Sequence, residues 1–197
     1  MSNEPIMMEE KEKRSAVTIE PAYVVRITGI LLAICVVVAL MLGVVNHITE
    51  PIIQKMQDEK TAAAMAQVLE AERYDPVEIV YDNVAALYGA YAGSQQVGYV
   101  VEVLSSGFGG AMRLVVGVDM NGTITGVAVT KQAETKNIGT KVVNDPAVLE
   151  RFVGMSGVIT VNSGENRFDG VSGATVSSKA VTTGVNTALA AVASLNG

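Results

Sequence analysis

The chain has 197 residues and a formal net charge of −6 at pH 7, with one cysteine, one histidine and no tryptophan. Iron–sulfur clusters and zinc sites need several Cys or His ligands, which this composition does not supply. A Ser-His-Asp hydrolase is disfavoured because its histidine would have to be His47, which lies just after an apolar run of membrane-spanning length. The absence of a basic patch argues against nucleic acid as a partner. We therefore expect no metal ligands and no catalytic residues, so that any redox work depends on an organic cofactor.

Residues 27–45 form an uncharged apolar run near the start of the chain. At about 1.5 Å per residue, a helix of this length just crosses a hydrocarbon core of about 30 Å. A cleaved signal peptide is disfavoured because 26 residues precede the run and no small-x-small site follows it. A lipoprotein anchor is disfavoured because Ile34, and not a small residue, precedes Cys35. The pattern predicts a single uncleaved transmembrane helix.

Basic residues flank this run unevenly. Four of them precede it and only Lys55 and Lys60 follow it closely. The positive-inside rule then places residues 1–26 in the cytoplasm and the chain beyond about residue 46 on the outer face of the cell (inner) membrane. The span holds no ionisable side chain other than Cys35, so we expect any ion route to lie in partner proteins.

Residues 46–75 are rich in helix-forming side chains and predict a juxtamembrane helix, in which Pro51 is a point where the helix can break. Residues 76–197 are predicted to form one extracytoplasmic domain. Asn121-Gly122 is a hairpin signal and predicts an antiparallel strand pair. Strand patterns occur at Val77–Tyr81, Ala85–Ala92, Gln96–Leu104, Met112–Asp119, Thr123–Thr130 and Val158–Val161, and helices are predicted from Asp145 to about Phe152 and from about Val176. The predicted fold class is α+β, one sheet with an antiparallel part and flanking helices.

The segment Asp169-Gly-Val-Ser-Gly-Ala-Thr175 stands directly before the last helical pattern. Gly173 and Ala174 leave room for a ligand near the backbone, and Thr175 falls at the N-cap or in the first turn. Helix N-termini carry unpaired N–H groups and a partial positive charge, which suit a phosphate. From these residues alone, an ordinary helix cap is the alternative interpretation.

The pattern Asp169-x-x-Ser172-Gly173-Ala174-Thr175 resembles the acceptor motif of FMN-binding domains that carry their flavin covalently. The resemblance implies that a flavin transferase esterifies the FMN phosphate to the hydroxyl of Thr175. Nearly the whole chain past residue 25 resembles the G subunit of Rnf-type electron transport complexes. The shared features are one N-terminal span, the segment Thr49-Glu-Pro-Ile-Ile53, the loop Gly107-Phe-Gly-Gly110 and an end soon after the motif helix.

Two loops depart from that family pattern. Phe108 replaces the usual Tyr of the glycine-rich loop, and Glu134-Thr-Lys-Asn-Ile-Gly139 replaces Glu-Thr-Pro-Gly-Leu-Gly. Besides Thr175, the resemblance implies further cofactor-binding residues, namely Phe108, Gly109, Glu134, Thr135, Ser172, Gly173 and Ala174.

Two charged residues near the motif have open roles. Lys179, one turn after Thr175, is either a charged contact for the phosphate or a solvated lysine. Asp169 either helps the transferase to position a metal-bound phosphate or forms an Asx turn.

The resemblance implies an electron-transfer subunit of a membrane-bound, ion-translocating ferredoxin:NAD oxidoreductase complex. Its expected partners are subunits that carry flavin and iron–sulfur centres, and no complete catalytic activity is expected from this chain alone. Two alternatives stay open: the covalent-FMN subunit of a sodium-pumping NADH:quinone reductase, and a membrane-anchored, non-redox module that binds a phosphate ligand.

Overall fold

The computed structural model describes residues 21–195, which divide into two compact units at Ile52/Ile53. Helix α1 (Pro21–Val68) starts in the first unit and ends in the second. Of the predicted cytoplasmic segment at residues 1–26, residues 1–20 lie outside the described residues and residues 21–26 belong to α1.

Helix α1 contains the predicted span and is long and apolar enough to cross a membrane. All residues from 21 to 56 are exposed, so the apolar side chains of this part pack against nothing in the described chain. The helix continues through Pro51, where one main-chain hydrogen bond is lost, and it ends at Val68 instead of reaching residue 75. This helix is a candidate membrane span.

Five antiparallel strands follow in chain order as one meander, β1-β2-β3-β4-β5. They are β1 (Arg73–Val77), β2 (Val84–Ala92), β3 (Gln95–Ser106), β4 (Ala111–Asp119) and β5 (Ile124–Lys131). The predicted strand at Val77–Tyr81 is wrong, because β1 ends at Val77. Pro76 fits β1 since this is an edge strand, where a missing N–H is tolerated. Pairing with β2, which the local pattern does not reveal, sets the position of β1.

The predicted hairpin at Asn121-Gly122 is confirmed. Asp119 organises the turn: its Oδ1 accepts hydrogen bonds from the backbone N–H groups of Asn121 and Thr123, both at 2.8 Å. Gly122 has a φ of 78°, a conformation that glycine adopts without steric cost. The turn therefore joins β4 to β5 in an antiparallel register.

Short elements and one long helix complete the fold. They are α2 (Thr140–Val143), α3 (Pro146–Leu149) with a 3-10 turn (Glu150–Phe152), the parallel pair β6 (Thr160–Val161) and β7 (Arg167–Phe168), and α4 (Thr175–Leu195). The Asp145 side chain accepts a hydrogen bond from the Ala147 N–H, as expected where Pro146 opens a helix. Helix α2 was not predicted, since four residues are too few for a helical period.

The sheet is covered on both faces, as the alternation along β4 indicates. Leu114, Val116 and Val118 join the core formed with α2, α3 and α4, whereas Val115 joins a second cluster under the end of α1. All four side chains are fully buried. The predicted α+β class with one sheet and flanking helices is confirmed.

The C-terminal end of α1 lies on a glycine surface of the sheet. A methyl group added at Gly126 would come within 2.7 Å of the Val68 Cα, and one at Gly117 within 2.5 Å of the Val68 carbonyl oxygen. That carbonyl oxygen accepts a hydrogen bond of 2.6 Å from Thr125 Oγ1. The small residues thus allow the backbone of α1 to contact the sheet directly.

Replacing Gly126 by alanine is expected to lower the free energy of unfolding of the domain by about 1–3 kcal/mol, the usual cost of overpacking. Urea denaturation followed by circular dichroism measures the change. The control is Gly29→Ala, because a methyl group there meets nothing within 4 Å. Equal stability of Gly126→Ala and the unmodified chain would contradict this close packing.

A partly buried ion pair lies on the α1 side of the sheet. Arg113 Nη1 donates to Glu102 Oε1 at 3.0 Å, and Thr61 Oγ1 of α1 donates to the same oxygen at 3.4 Å. Burial raises the pKa of the nearby Tyr88 phenol, and the carboxylates of Glu102 and Asp58 raise it further. The charge of Arg113 is therefore paired with that of Glu102 within the domain.

Candidate functional site

Three chain segments come together around the start of α4. They are the loop at residues 107–110 between β3 and β4, residues 132–139 between β5 and α2, and residues 169–175 before α4. A Cβ atom added at Gly107 would overlap the Glu134 carboxylate, and one at Gly139 would overlap both Glu134 and Ser177 of α4. The structure thus brings the two predicted loops to the predicted acceptor motif.

The motif forms a tight turn that leads into α4. The Ala174 N–H donates to the Val171 carbonyl oxygen at 3.0 Å, and Gly173 has a φ of 77° that favours glycine. Ser178 then donates its N–H to the Ala174 carbonyl oxygen at 2.9 Å, and its Oγ accepts from the Val171 N–H at 3.1 Å. The second turn of the helix therefore holds the loop that precedes it.

Thr175 is the first residue of α4 and is exposed, while Ala174, Ser177 and Ser178 are buried. The backbone N–H groups of residues 175–177 precede the first intrahelical hydrogen bond and lack helical acceptors. Ser172 and Gly173 are also exposed. An accessible hydroxyl therefore stands beside free N–H groups and the positive end of a helix dipole, a combination that fits a phosphate.

Glu134 is a buried carboxylate at the centre of the three segments, with 8% of its surface exposed. Its Oε2 accepts a hydrogen bond of 2.8 Å from Ser177 Oγ. Its Oε1 is buried and has no hydrogen-bond partner within residues 21–195. A buried acceptor without a donor costs about 1–3 kcal/mol.

Glycines bring the loop backbones close to Glu134. Besides Gly107 and Gly139, Gly109 lies where an added Cβ would overlap the Ala133 carbonyl oxygen. The sequence-based candidates included Gly109 but left out Gly107, Gly139 and Ser177. The repeated glycines of the two loop motifs could have pointed to Gly107 and Gly139, whereas the role of Ser177 depends on a contact across 43 residues.

Lys136-Asn137 preserves a tight turn where the family pattern has Pro-Gly. The Ile138 N–H donates to the Thr135 carbonyl oxygen at 3.2 Å, and Asn137 has a φ of 64°. Asn tolerates this left-handed conformation better than most residues. The Asn137 N–H also donates to Thr140 Oγ1 at 2.9 Å, and Thr135 is exposed beside the turn.

Asp169 and Lys179 differ in their placement. Asp169 Oδ1 pairs with Arg167 Nε at 3.2 Å, and its carbonyl oxygen accepts from Arg151 at 3.1 Å. The Asx turn is not formed, because the Val171 N–H donates to Ser178 instead. Lys179 is exposed four residues after Thr175, so the two side chains share one face of α4.

Exposed apolar side chains accompany the site, one on each of the two loops and one in the first turn of α4. Phe108 is 70% exposed, Ile138 is 50% exposed and Val176 is 52% exposed. Val176 also lines a groove with Lys179 of α4 against residues 104–106 of β3. The site therefore combines a helix N-terminus that suits a phosphate with exposed apolar surface that suits a flat aromatic ring.

Comparison with known proteins places these residues in one recognised domain. Residues 107–190, which contain all the predicted site residues, match the FMN-binding domain family. The chain is 32% identical to the G subunit of the Na(+)-translocating ferredoxin:NAD(+) oxidoreductase complex of Acetobacterium woodii, over 91% of this chain and 95% of that protein. It is 27% identical to the G subunit of the proton-translocating ferredoxin:NAD(+) oxidoreductase complex of Clostridium ljungdahlii, over 87% and 92%.

A solved structure is also similar. The C subunit of the Na(+)-translocating NADH-quinone reductase from Parabacteroides distasonis aligns with a TM-score of 0.46 and 23% identity, covering 54% of this chain and 59% of that one.

Proposed function

The chain belongs to the family of G subunits of ion-translocating oxidoreductase complexes, and we propose that it relays electrons through FMN esterified by its phosphate to the hydroxyl of Thr175. The observation that carries this proposal is the exposed Thr175 hydroxyl at the start of a packed helix, inside the stretch that matches the FMN-binding domain family. The relay operates within a membrane-bound ferredoxin:NAD oxidoreductase. The similar G subunits are named for sodium and for proton translocation, so the proposal leaves the coupling ion open.

The start of α4 supports the phosphate end of this cofactor. A phosphodiester at Thr175 keeps one negative charge, and the helix N-terminus stabilises such a charge by about 0.3–1 kcal/mol. Gly173 and Ser172 are exposed beside it and leave space for the attached chain. Lys179, on the same helix face, contributes a charge-assisted contact to the phosphate.

The two loops support the ring and the sugar-alcohol chain. FMN supplies the electron chemistry, while the protein binds and orients it. Phe108, Ile138 and Val176 offer exposed apolar surface to a flat ring. Glu134 Oε1, which has no partner among the described residues, would accept a hydrogen bond from an O–H or N–H group of the bound cofactor, and this would remove the cost of an unpaired buried acceptor.

Replacing Glu134 by glutamine is expected to preserve FMN attachment and to raise the midpoint potential by tens of millivolts. The amide keeps the size and an acceptor oxygen for Ser177 but removes a negative charge near the cofactor, and this favours electron uptake. Spectroelectrochemical titration of the flavin-loaded chain measures the potential. The control is Glu165→Gln, at an exposed position. Equal potentials for the two variants would contradict the placement of Glu134 beside FMN.

Maturation and assembly follow from the same proposal. A flavin transferase attaches FMN to Thr175, and the partners are other subunits that carry flavin and iron–sulfur centres. The helix at residues 27–45 spans the cell membrane once, with residues 1–26 in the cytoplasm and the FMN-binding domain outside. This orientation rests on the excess of Lys and Arg before the span.

Cysteine labelling tests the orientation. In a Cys35→Ala background, Ser163→Cys lies on an exposed loop of the domain, and Ser15→Cys lies before the span. A membrane-impermeant maleimide is expected to label Ser163→Cys in intact spheroplasts and Ser15→Cys only after lysis. The reverse pattern would contradict the orientation.

Intact-mass measurement after co-expression with a flavin transferase tests the attachment. The expected result is a mass increase equal to FMN minus water, on a yellow protein. An unmodified, colourless protein would contradict the relay and favour a reversible phosphate-binding module. Purification in mild detergent then identifies the assembly, and copurifying NADH:quinone reductase subunits would favour the second assembly.

A further inference from the structure

Four exposed lysines lie in or close to the segments of the site along the chain, although the net charge of the protein is −6. Lys131 ends β5, Lys136 lies in the turn before α2, Lys141 lies in α2 and Lys179 lies in α4. Within residues 21–195, none of the four forms an ion pair with a carboxylate. We call these four residues the lysine rim.

Few carboxylates lie close to the lysine rim along the chain. Residues 131–144 contain one acidic residue, the buried Glu134, and residues 170–186 contain none. Of the acidic residues just beyond these segments, Asp169 pairs with Arg167 and Asp145 accepts the Ala147 N–H at the start of α3. Residues 131–144 and 170–186 together therefore hold four lysines, no arginine and one carboxylate, a net charge of +3.

The lysine rim accompanies the exposed apolar side chains of the site. Ile138 lies between Lys136 and Lys141 in the chain, Val176 lies three residues before Lys179 in α4, and Phe108 lies on the loop at residues 107–110. An apolar centre with a charged, solvated border is the usual organisation of a protein–protein interface. The lysines lie on two stretches of the chain, residues 131–141 and helix α4, so they suit a broad surface better than one small anion.

We propose that the lysine rim docks an acidic face of a protein partner that exchanges electrons at the Thr175 site. This inference rests on the proposed function. A phosphodiester at Thr175 carries one negative charge, so the flavin would leave most of the rim uncompensated. Surface carboxylates of a partner supply the missing charge, speed the encounter and make it sensitive to salt.

Zero-length cross-linking tests this interface directly. A carbodiimide joins a lysine Nζ to a carboxylate only when the two are in contact. The complex, purified in mild detergent through a tag on this chain, is treated with the carbodiimide and mapped by peptide mass spectrometry. The expected cross-links join rim lysines to Asp or Glu of another protein of the complex, and high salt before the reaction reduces them.

A matched pair of variants makes the result specific. Lys136→Gln/Lys141→Gln is expected to lower the yield of inter-subunit cross-links by roughly fivefold, whereas Lys55→Gln/Lys60→Gln, which removes the same charge from α1, leaves it unchanged. Intact mass reports FMN content in every sample. Three results would overturn the interface. The first is cross-links confined to Lys55 and Lys60, and the second is an equal loss of cross-links in both double variants. The third is that anionic lipid vesicles, and not a protein partner, protect the rim lysines from modification. Full FMN content with no rim cross-links would refute the interface alone. Rim cross-links on a chain without FMN would refute the relay alone.

Discussion

Replacing Thr175 by valine is expected to abolish covalent FMN attachment completely. Valine has the same shape and β-branching but lacks the hydroxyl that would form the ester bond. Because Thr175 is exposed at the helix start, the fold should survive the change with a loss of about 1 kcal/mol or less. Intact mass and visible absorbance of the co-expressed chain measure the result, and circular dichroism verifies the fold.

Thr183→Val is the matched control for this prediction. Thr183 is exposed two turns after Thr175 on the same face of α4, so the same substitution there should leave FMN content unchanged. Thr175→Ser restores a hydroxyl and distinguishes a chemical from a steric cause: partial loading of this variant would support the ester. An FMN mass increase that persists in Thr175→Val would place the attachment elsewhere and contradict the proposed site.

Replacing Phe168 by alanine is expected to have the largest effect on stability, a loss of about 3–5 kcal/mol. Phe168 and Phe152 are fully buried, and their rings stack with centroids 4.1 Å apart and an interplanar angle of 12°. The substitution removes this contact and leaves a cavity. Phe168 directly precedes the acceptor motif, so we also expect a lower fraction of FMN-loaded protein.

Urea denaturation of the purified domain measures the stability loss, and intact mass measures FMN loading at a temperature where the variant stays folded. Phe108→Ala is the matched control, because that ring is 70% exposed and its removal should change the free energy of unfolding by about 0.5 kcal/mol or less. Equal losses in the two Phe→Ala variants would show that the stacked pair does not anchor the segment before the motif.

Several features could be predicted from local sequence. The apolar run within α1, the turn after Asp119 and the start of α4 near Thr175 all depend on neighbouring residues: uninterrupted hydrophobicity, an Asn-Gly pair, and small residues before a helical period. Family resemblance added the loops at residues 107–110 and 134–139. These signals were sufficient for the fold class, and they are the basis on which the acceptor motif is predicted.

Other features depend on contacts between distant segments. The position of β1 follows from its pairing with β2, and the four-residue α2 is too short to show a helical period. The hydrogen bond from Ser177 to Glu134 joins positions 43 residues apart. A buried, half-satisfied carboxylate cannot be recognised from the sequence because its burial is a property of the assembled loops.

The amino-acid sequence by itself determined the candidate membrane span and the antiparallel strand pair at Asn121-Gly122, and it singled out Thr175 as the predicted acceptor, because each signal comes from residues close together in the chain. Only the tertiary structure decided what surrounds that threonine. It placed Glu134 against the glycines of two loops and Ser177, and it left the lysines of these segments exposed. The physical reason is that burial, unpaired hydrogen-bonding atoms and local charge balance arise from packing between segments that lie far apart in the sequence.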